Sequence, residues 1–416
     1  MRSLKVSNFS CIEAAVVEFH PLTVIIGPQA SGKSVLCKLG FFFQSLLSDQ
    51  LRSVSERESF TTFKESTRKK FLRWFPIESW GDKKFEICFS AGEFESRITR
   101  TEYKGKLGQT FRIHMSEPFQ KLYETSLAQT EKITNARLER DIDTIMPTWE
   151  VREAILGLQG RLLGADRIDG QLFVPAGRSF FTSIGRAIAV FEQSSTLDPL
   201  TIVFGRIFRS HLDRMSRTRH IETSAPIARA FIEMLGGELR GNRDEEHLSM
   251  KDGRKIPLSL LSSGQQELLP LLTVLPDRNA RSKQLLYIEE PEAHLFPSAQ
   301  SQLVQLLASL TNGSRDQTSL VITTHSPYVL AKFNNLILAG SLGRRRKDQV
   351  AKVVPTEYWI GRHKLRAYAI FEGTLHQITQ KDGLIDADYL DDVSGEIGME
   401  FERLLEIEAE ANAKPQ

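Results

Sequence analysis

Gly27-Pro28-Gln29-Ala30-Ser31-Gly32-Lys33-Ser34 fits the pattern G-x-x-x-x-G-K-S. Before it, Leu22-Thr23-Val24-Ile25-Ile26 is a short apolar, β-branched run, the signature of a strand buried on both faces. After it, Val35 to Leu47 carries no proline and one glycine, Gly40, and so reads as a helix. A strand, a glycine loop and a helix in that order aim backbone N–H groups and the positive end of a helix dipole at phosphate oxygens. The pattern assigns Gly27, Pro28, Gln29, Ala30, Ser31, Gly32, Lys33, Ser34 and Val35 to nucleotide binding. Within it, Lys33 meets the β- and γ-phosphates and Ser34 ligates Mg2+.

The rest of the chain must complete that site. Its 416 residues suffice for two or three domains, or for one domain with a large insertion. At 41% hydrophobic and 25% charged it has an ordinary globular composition. A formal charge of +2 gives no bulk argument for nucleic acid, so any such surface must be a local patch. The 3 cysteines, Cys11, Cys37 and Cys88, lack metal-like spacing and read as buried, reduced thiols of a cytoplasmic protein. Met1 to Lys5 leads into polar sequence with no signal-peptide pattern, and no apolar run approaches a membrane span, so no membrane partner is expected.

Leu4 to Phe9 and Ala14 to Phe19 read as two strands of an edge sheet beside the phosphate-loop strand. Leu51 to Phe75 interleaves cations (Arg52, Lys64, Arg68, Lys70) with rings (Phe63, Phe71, Trp74, Phe75). That mixture suits either a nucleic-acid contact or a partly buried amphipathic helix with a solvated cationic face. Phe85 to Phe89, Phe94 to Arg100 and Phe111 to Met115 alternate like strands. Lys121 to Leu163 and Ser179 to Leu239 are helix-permissive, with Leu138, Ile142, Ile145 and Met146 at helical spacing. Leu172 to Ala176 between them looks like a buried strand. The expected layout is therefore an α/β mixed sheet flanked by helices. Residues 1–50 and 241–340 form two parts of one nucleotide-binding lobe, 51–240 a mixed and then mainly helical insertion, and 341–416 a C-terminal extension ending in an acidic helix near Glu400 to Ala411.

Four elements carry chemistry in one order: the phosphate loop, Ser262-Ser263-Gly264-Gln265 opening a helix, a strand ending in Glu289-Glu290, and a strand ending in His325. Glu289 is placed to hold Mg2+ with Ser34. Glu290 is the catalytic group that orients or deprotonates the attacking water, and His325 a catalytic partner at a γ-phosphate oxygen. Ser262 and the N–H groups near Gly264 make a second anion site at a helix N-terminus. One such site suffices for one nucleotide within a chain, so a second points to two chains sharing each ATP.

At these residues the chain resembles the ABC-type ATPase heads of the SMC, RecF and OLD group. The likeness rests on the run up to Gly27, the phosphate loop, Leu261 to Glu267, Glu289-Glu290-Pro291-Glu292-Ala293-His294-Leu295 and Thr323-Thr324-His325-Ser326-Pro327. It implies a P-loop ABC-type fold, ATP and Mg2+ as ligands, and a head-to-tail homodimer or higher homo-oligomer. In that arrangement Ser262, Ser263, Gly264 and Gln265 of one copy face the Lys33 site of the other. Gln29-Ala30 replaces the usual Asn-Gly, Ser263 replaces the first signature glycine, and Glu289 stands where Asp is commoner, which implies slow turnover. Gln171 and Arg178 are the candidates for the group's glutamine loop. Transporter subunits of this class have a shorter interval between the two anion sites, and SMC proteins insert long heptad coils that are absent here. Tyr368 to Gly373 resembles the opening of a Toprim nuclease domain, but too few residues follow for that fold, so Glu372 reads as structural. What remains resembles the stand-alone OLD-like ATPase of two-gene anti-phage systems of the PARIS type, whose partner is a separate Toprim-class effector nuclease. One alternative is a RecF-like repair ATPase with DNA as partner, held by Leu51 to Phe75 and by Arg344-Arg345-Arg346-Lys347. A second is an ATP-binding scaffold without turnover.

Overall fold

The computed structural model describes residues 1–138, 148–184, 187, 197–217, 225–241, 246–276, 282–312, 318–386 and 403–404. The expected helical positions Ile142, Ile145 and Met146, and nearly all of the expected acidic helix near Glu400, lie outside the described residues. Among the described residues one mixed sheet dominates, with a helical layer on each face. Its strands are β1 (Ser3–Phe9), β2 (Ile12–Glu18), β3 (Leu22–Ile26), β4 (Glu86–Ala91), β5 (Phe94–Tyr103), β6 (Lys106–Met115), β7 (Gly170–Val174), β11 (Gln284–Glu289), β12 (Thr318–Thr324), β13 (Leu365–Phe371) and β14 (Thr374–Gln377). They run in the order β6-β5-β4-β1-β2-β14-β13-β3-β12-β11-β7. From β13 to β7 the neighbours are parallel, and from β6 to β2 they are antiparallel.

All five residues of β3 are buried because both faces of the sheet are covered. Leu22, Val24 and Ile26 enter one core and Ile25 the other, as the two-residue side-chain period of a strand requires. The second core takes the apolar face of α1 (Lys33–Ser55) through Leu36, Leu39, Phe42, Phe43 and Leu46. The first takes α8 (Ser263–Val274), α9 (Pro297–Thr311) and α10 (Pro327–Leu342). Helix α1 runs beyond the expected Leu47 to Ser55, where Arg57 turns left-handed at φ 58°. Gly40 inside it is closely packed: a Cβ there would sit 3.0 Å from the Tyr287 hydroxyl and 3.1 Å from Phe19.

The first hairpin forms as expected, but not beside the phosphate-loop strand. β14 and β13 lie between β2 and β3, with Leu22 paired to Leu365. Residues 341–416 thus supply the strand next to the phosphate loop. Residues 51–240 supply β4 to β6 at one end of the sheet and β7 at the other. The helices of that region are α2 (Phe60–Trp74), α3 (Glu117–Leu138), α4 (Thr148–Leu163), α5 (Ser179–Ile184), α6 (Pro199–Arg217) and α7 (Ala225–Met234). A second sheet of β8 (Gly237–Gly241), β9 (Glu246–Met250) and β10 (Lys255–Pro257) turns at Asp252-Gly253, with Gly253 at φ 87°.

The interleaved segment Leu51 to Phe75 covers the end of α1 and the amphipathic α2. Phe63, Phe71 and Phe75 are buried, and Phe71 packs on Phe9, Phe42 and Phe111. Arg68 lies over the Phe111 ring, and Lys70 is paired with Asp49 at 2.5 Å. Those three rings are therefore not available to stack on bases. Among the described residues no helix is long and apolar enough to cross a membrane. The three cysteines are unpaired, but only Cys37 is buried as expected: Cys88 is half-buried, and Cys11 is exposed because it sits at the open turn between β1 and β2.

Candidate nucleotide site

The site lies at the carboxyl ends of the parallel strands, where the chain leaves β3, β11 and β12 on one side of the sheet. After Ile26, Gly27 passes so close to β13 that a Cβ would lie 2.5 Å from the Ile370 carbonyl oxygen. Ala30 at φ 61° and Gly32 at φ 104° turn the backbone left-handed, and α1 opens at Lys33. Such a turn into a helix N-terminus concentrates N–H groups into a concave anion cradle. We predict that Gly27→Ala costs about 1–3 kcal/mol, the usual penalty for overpacking, as a lower urea midpoint.

Lys33 is only 5% exposed, and its Nζ donates to the carbonyls of Gly27 at 2.8 Å and Pro28 at 2.7 Å. Burial lowers its pKa, and Glu290, Glu292 and Glu289 oppose that shift. The loop thus holds the cation's position by its own carbonyls. The neighbouring Ser34 is exposed and stands beside the Glu289 carboxylate.

Glu289 ends β11 at 6% exposure. One carboxylate oxygen accepts a long bond (3.4 Å) from the Ala176 N–H, while Oε1 is buried with no hydrogen-bond partner. Burial raises its pKa, partly offset by Ser34 and Lys38. A buried, unsatisfied carboxylate beside an accessible hydroxyl fits a hard divalent cation, so Ser34 and Glu289 are suited to hold Mg2+. Among the described residues no group of three or more His, Cys, Asp or Glu could hold a metal ion. Mg2+ is normally held by one or two protein groups, phosphates and water.

The same burial gives a pH test without nucleotide. The folded-state pKa of Glu289 lies above its unfolded value, so the folded chain holds the proton more tightly. Stability therefore falls as pH rises from the unfolded value through the folded one. Glu289→Gln removes that cost. The variant is expected to melt higher than the parent at about pH 8, with the difference vanishing at about pH 4, in metal-free buffer.

Glu290 follows in a left-handed backbone conformation, φ 43°, with its N–H bonded to the Thr323 carbonyl. His325 leaves the adjacent β12, and its Nε2 lies 3.1 Å from Glu290 Oε1. Parallel pairing of Glu289 with Thr323 fixes this juxtaposition. Glu292, to which the sequence reading gave no role, orients the histidine. Its Oε1 accepts from the His325 N–H at 2.9 Å and the Thr324 hydroxyl at 2.5 Å, while its Oε2 is buried without a partner.

The second anion site is exposed. Ser262 caps α8 in a capping box with Gln265: the Ser262 side chain accepts from the Gln265 N–H, and the Gln265 side chain accepts from the Ser262 N–H. Ser262 and Ser263 are exposed, Gly264 and Gln265 half-buried. A Cβ on Gly264 would sit 3.0 Å from the His294 carbonyl oxygen, so this helix start packs on the turn after Glu290. Neither glutamine-loop candidate reaches the nucleotide face as an open group. Gln171 Nε2 donates to the Phe41 carbonyl, and Arg178 is fully buried.

The family described as "AAA domain, putative AbiEii toxin, Type IV TA system" matches residues 22–331. The chain belongs to this family. This AAA-domain chain carries its phosphate-loop sequence in a mixed sheet flanked by helices. No curated protein matches it. Solved structures similar to it include an Smc head bound to the C-terminal winged-helix domain of ScpA, at 13% identity and a TM-score of 0.40, covering 90% of this chain and 96% of that one. A Pyrococcus furiosus Smc head with an extended coiled coil, bound to the C-terminal domain of ScpA, gives 12% and 0.39 over 91% and 96%. The SMC head from Thermotoga maritima gives 13% and 0.33 over 90% and 97%. At these values the overlap is loose, and the reading of the AAA-domain site rests on its own geometry.

Proposed function

We propose that this chain is a slow ATP-hydrolysing switch that closes head-to-tail on a second copy and controls a separate effector nuclease in bacterial anti-phage defence. The observation that carries the hydrolysis reading is the Glu290–His325 pair, held at adjacent strand ends with Glu289 and Lys33 beside it. Lys33 and the loop N–H groups bind the phosphates. Mg2+, when bound, neutralises charge on the β- and γ-phosphates. Glu290 accepts a proton from the attacking water, and His325 holds that carboxylate in place.

The exposed Ser262 cap supports sharing of the nucleotide between copies, because a helix N-terminus open to solvent is free to receive a second chain's phosphate. The family's reference to type IV toxin–antitoxin systems supports one half of a two-component system. Sedimentation of the hydrolysis-blocked Glu290→Gln protein with Mg-ATP tests the sharing. A shift from monomer to dimer or larger is expected, and a persistent monomer refutes it. The effector is tested by adding the neighbouring gene's product: its nuclease activity must depend on which nucleotide the ATPase holds.

A further inference from the structure

Arg178 is a buried cation that the nucleotide site does not use directly. It follows β7 after Pro175-Ala176-Gly177, where Gly177 at φ 68° turns the chain back beneath the strand ends. Its relative exposure is 0%. Its guanidinium is fully engaged. Nε donates to the Glu267 carbonyl (3.0 Å), one terminal nitrogen to the carbonyls of Pro175 (3.0 Å) and Glu289 (2.7 Å), and the other to the carbonyl of Glu290 (3.0 Å). The Glu267 carboxylate lies 3.4 Å from that last nitrogen, and also accepts from the N–H groups of Arg178 (2.9 Å) and Ser179 (3.1 Å).

Burying a guanidinium and a carboxylate is costly unless each is fully paired, and here both are. The pairing joins three elements: the segment after β7, helix α8 and the end of β11. Glu267 lies on α8 just after the exposed Ser262–Gln265 cap. The Glu289 and Glu290 carbonyls are the end of the strand that carries the proposed base. With its donors taken, Arg178 has none left for a phosphate.

We propose that Arg178 is a positioning residue that couples the seating of the α8 cap to the backbone of Glu290. A displacement of the cap passes along a rigid helix turn to Glu267, through the guanidinium fork, and into the left-handed peptide from which the Glu290 side chain springs. Closure by a second copy thereby sets the proposed base in its own chain. This rests on the hydrolysis reading above, and the test keeps the two apart.

The full chain is compared with Arg178→Lys, which keeps the charge but cannot span all four carbonyls, and with the near-isosteric Glu267→Gln. Fluorescent ATP-analogue affinity, kcat, KM and melting temperature are measured for each. The expected result is a fall in kcat of about 10–100-fold in each, with analogue affinity and KM within about threefold of the parent. The double variant is expected to lose no more than the worse single one, because the two side chains act as a unit. A kcat within about threefold of the parent for both folded single variants overturns the proposal, as does a double variant whose loss is the product of the two. If Arg178→Lys fails to fold, Glu267→Gln decides alone by the same kcat and KM criteria. If the parent itself releases phosphate no faster than Glu290→Gln, it is the hydrolysis reading that fails.

Discussion

Glu290→Gln is expected to lower steady-state phosphate release by about a thousandfold, a typical cost of removing a general base. The substitution keeps the size of the side chain and one acceptor for His325 Nε2, so the strand ends stay in place. Nucleotide affinity is expected to persist, because Glu290 is not among the groups of the phosphate loop. The effect therefore falls on kcat and not on KM, the signature of an interaction made only in the transition state. A malachite-green time course on parent and variant decides it. Equal background rates would mean that the chain binds nucleotide without turning it over.

The second large effect belongs to Lys33. Lys33→Met retains the volume of a side chain that is 5% exposed, and removes a cation whose pKa burial has already lowered. The nucleotide-free protein is expected to fold, since the lost bonds run only to the carbonyls of Gly27 and Pro28 at the edge of the loop. Its response to ligand is expected to vanish. At Mg-ATP a hundredfold above the dissociation constant the parent gains about 2.7 kcal/mol from mass action, seen as a rise in melting temperature. The variant shows none of it. A full rise in Lys33→Met would place the nucleotide elsewhere.

Much of this site was legible because its parts are local. A glycine loop between an apolar strand and a helix, and carboxylates or a histidine at strand ends, are written in runs of a few residues, and the structure brings Lys33, Ser34, Glu289, Glu290 and His325 to one side of the sheet. What escaped was long-range. Tyr368 to Gly373 resembles a nuclease-domain opening, whereas Leu365–Phe371 is the strand that pairs with β3. No local pattern states which strand will be a neighbour. The Arg178–Glu267 pair left a fainter trace. Glu267 stands directly before the apolar run Leu268 to Leu272 of α8, and Arg178 follows the edge strand β7. Two opposite charges stranded in apolar surroundings imply each other, although the sequence does not state which pairs with which. The cationic segment at Leu51 to Phe75 was ambiguous for the opposite reason, because rings alternate with charges both where they bind bases and where they line a core.

The late arrival of β13 bears on synthesis. The strand that carries the phosphate loop leaves the ribosome long before the edge it must join, at Leu365. Until then β3 has an open flank, and the wall against which Gly27 fits has not been made. A nascent or prematurely terminated polypeptide therefore carries the phosphate-loop sequence without a finished pocket, and exposes an unpaired apolar strand to aggregation. Nucleotide capture in this protein becomes a readout of synthesis having passed Phe371.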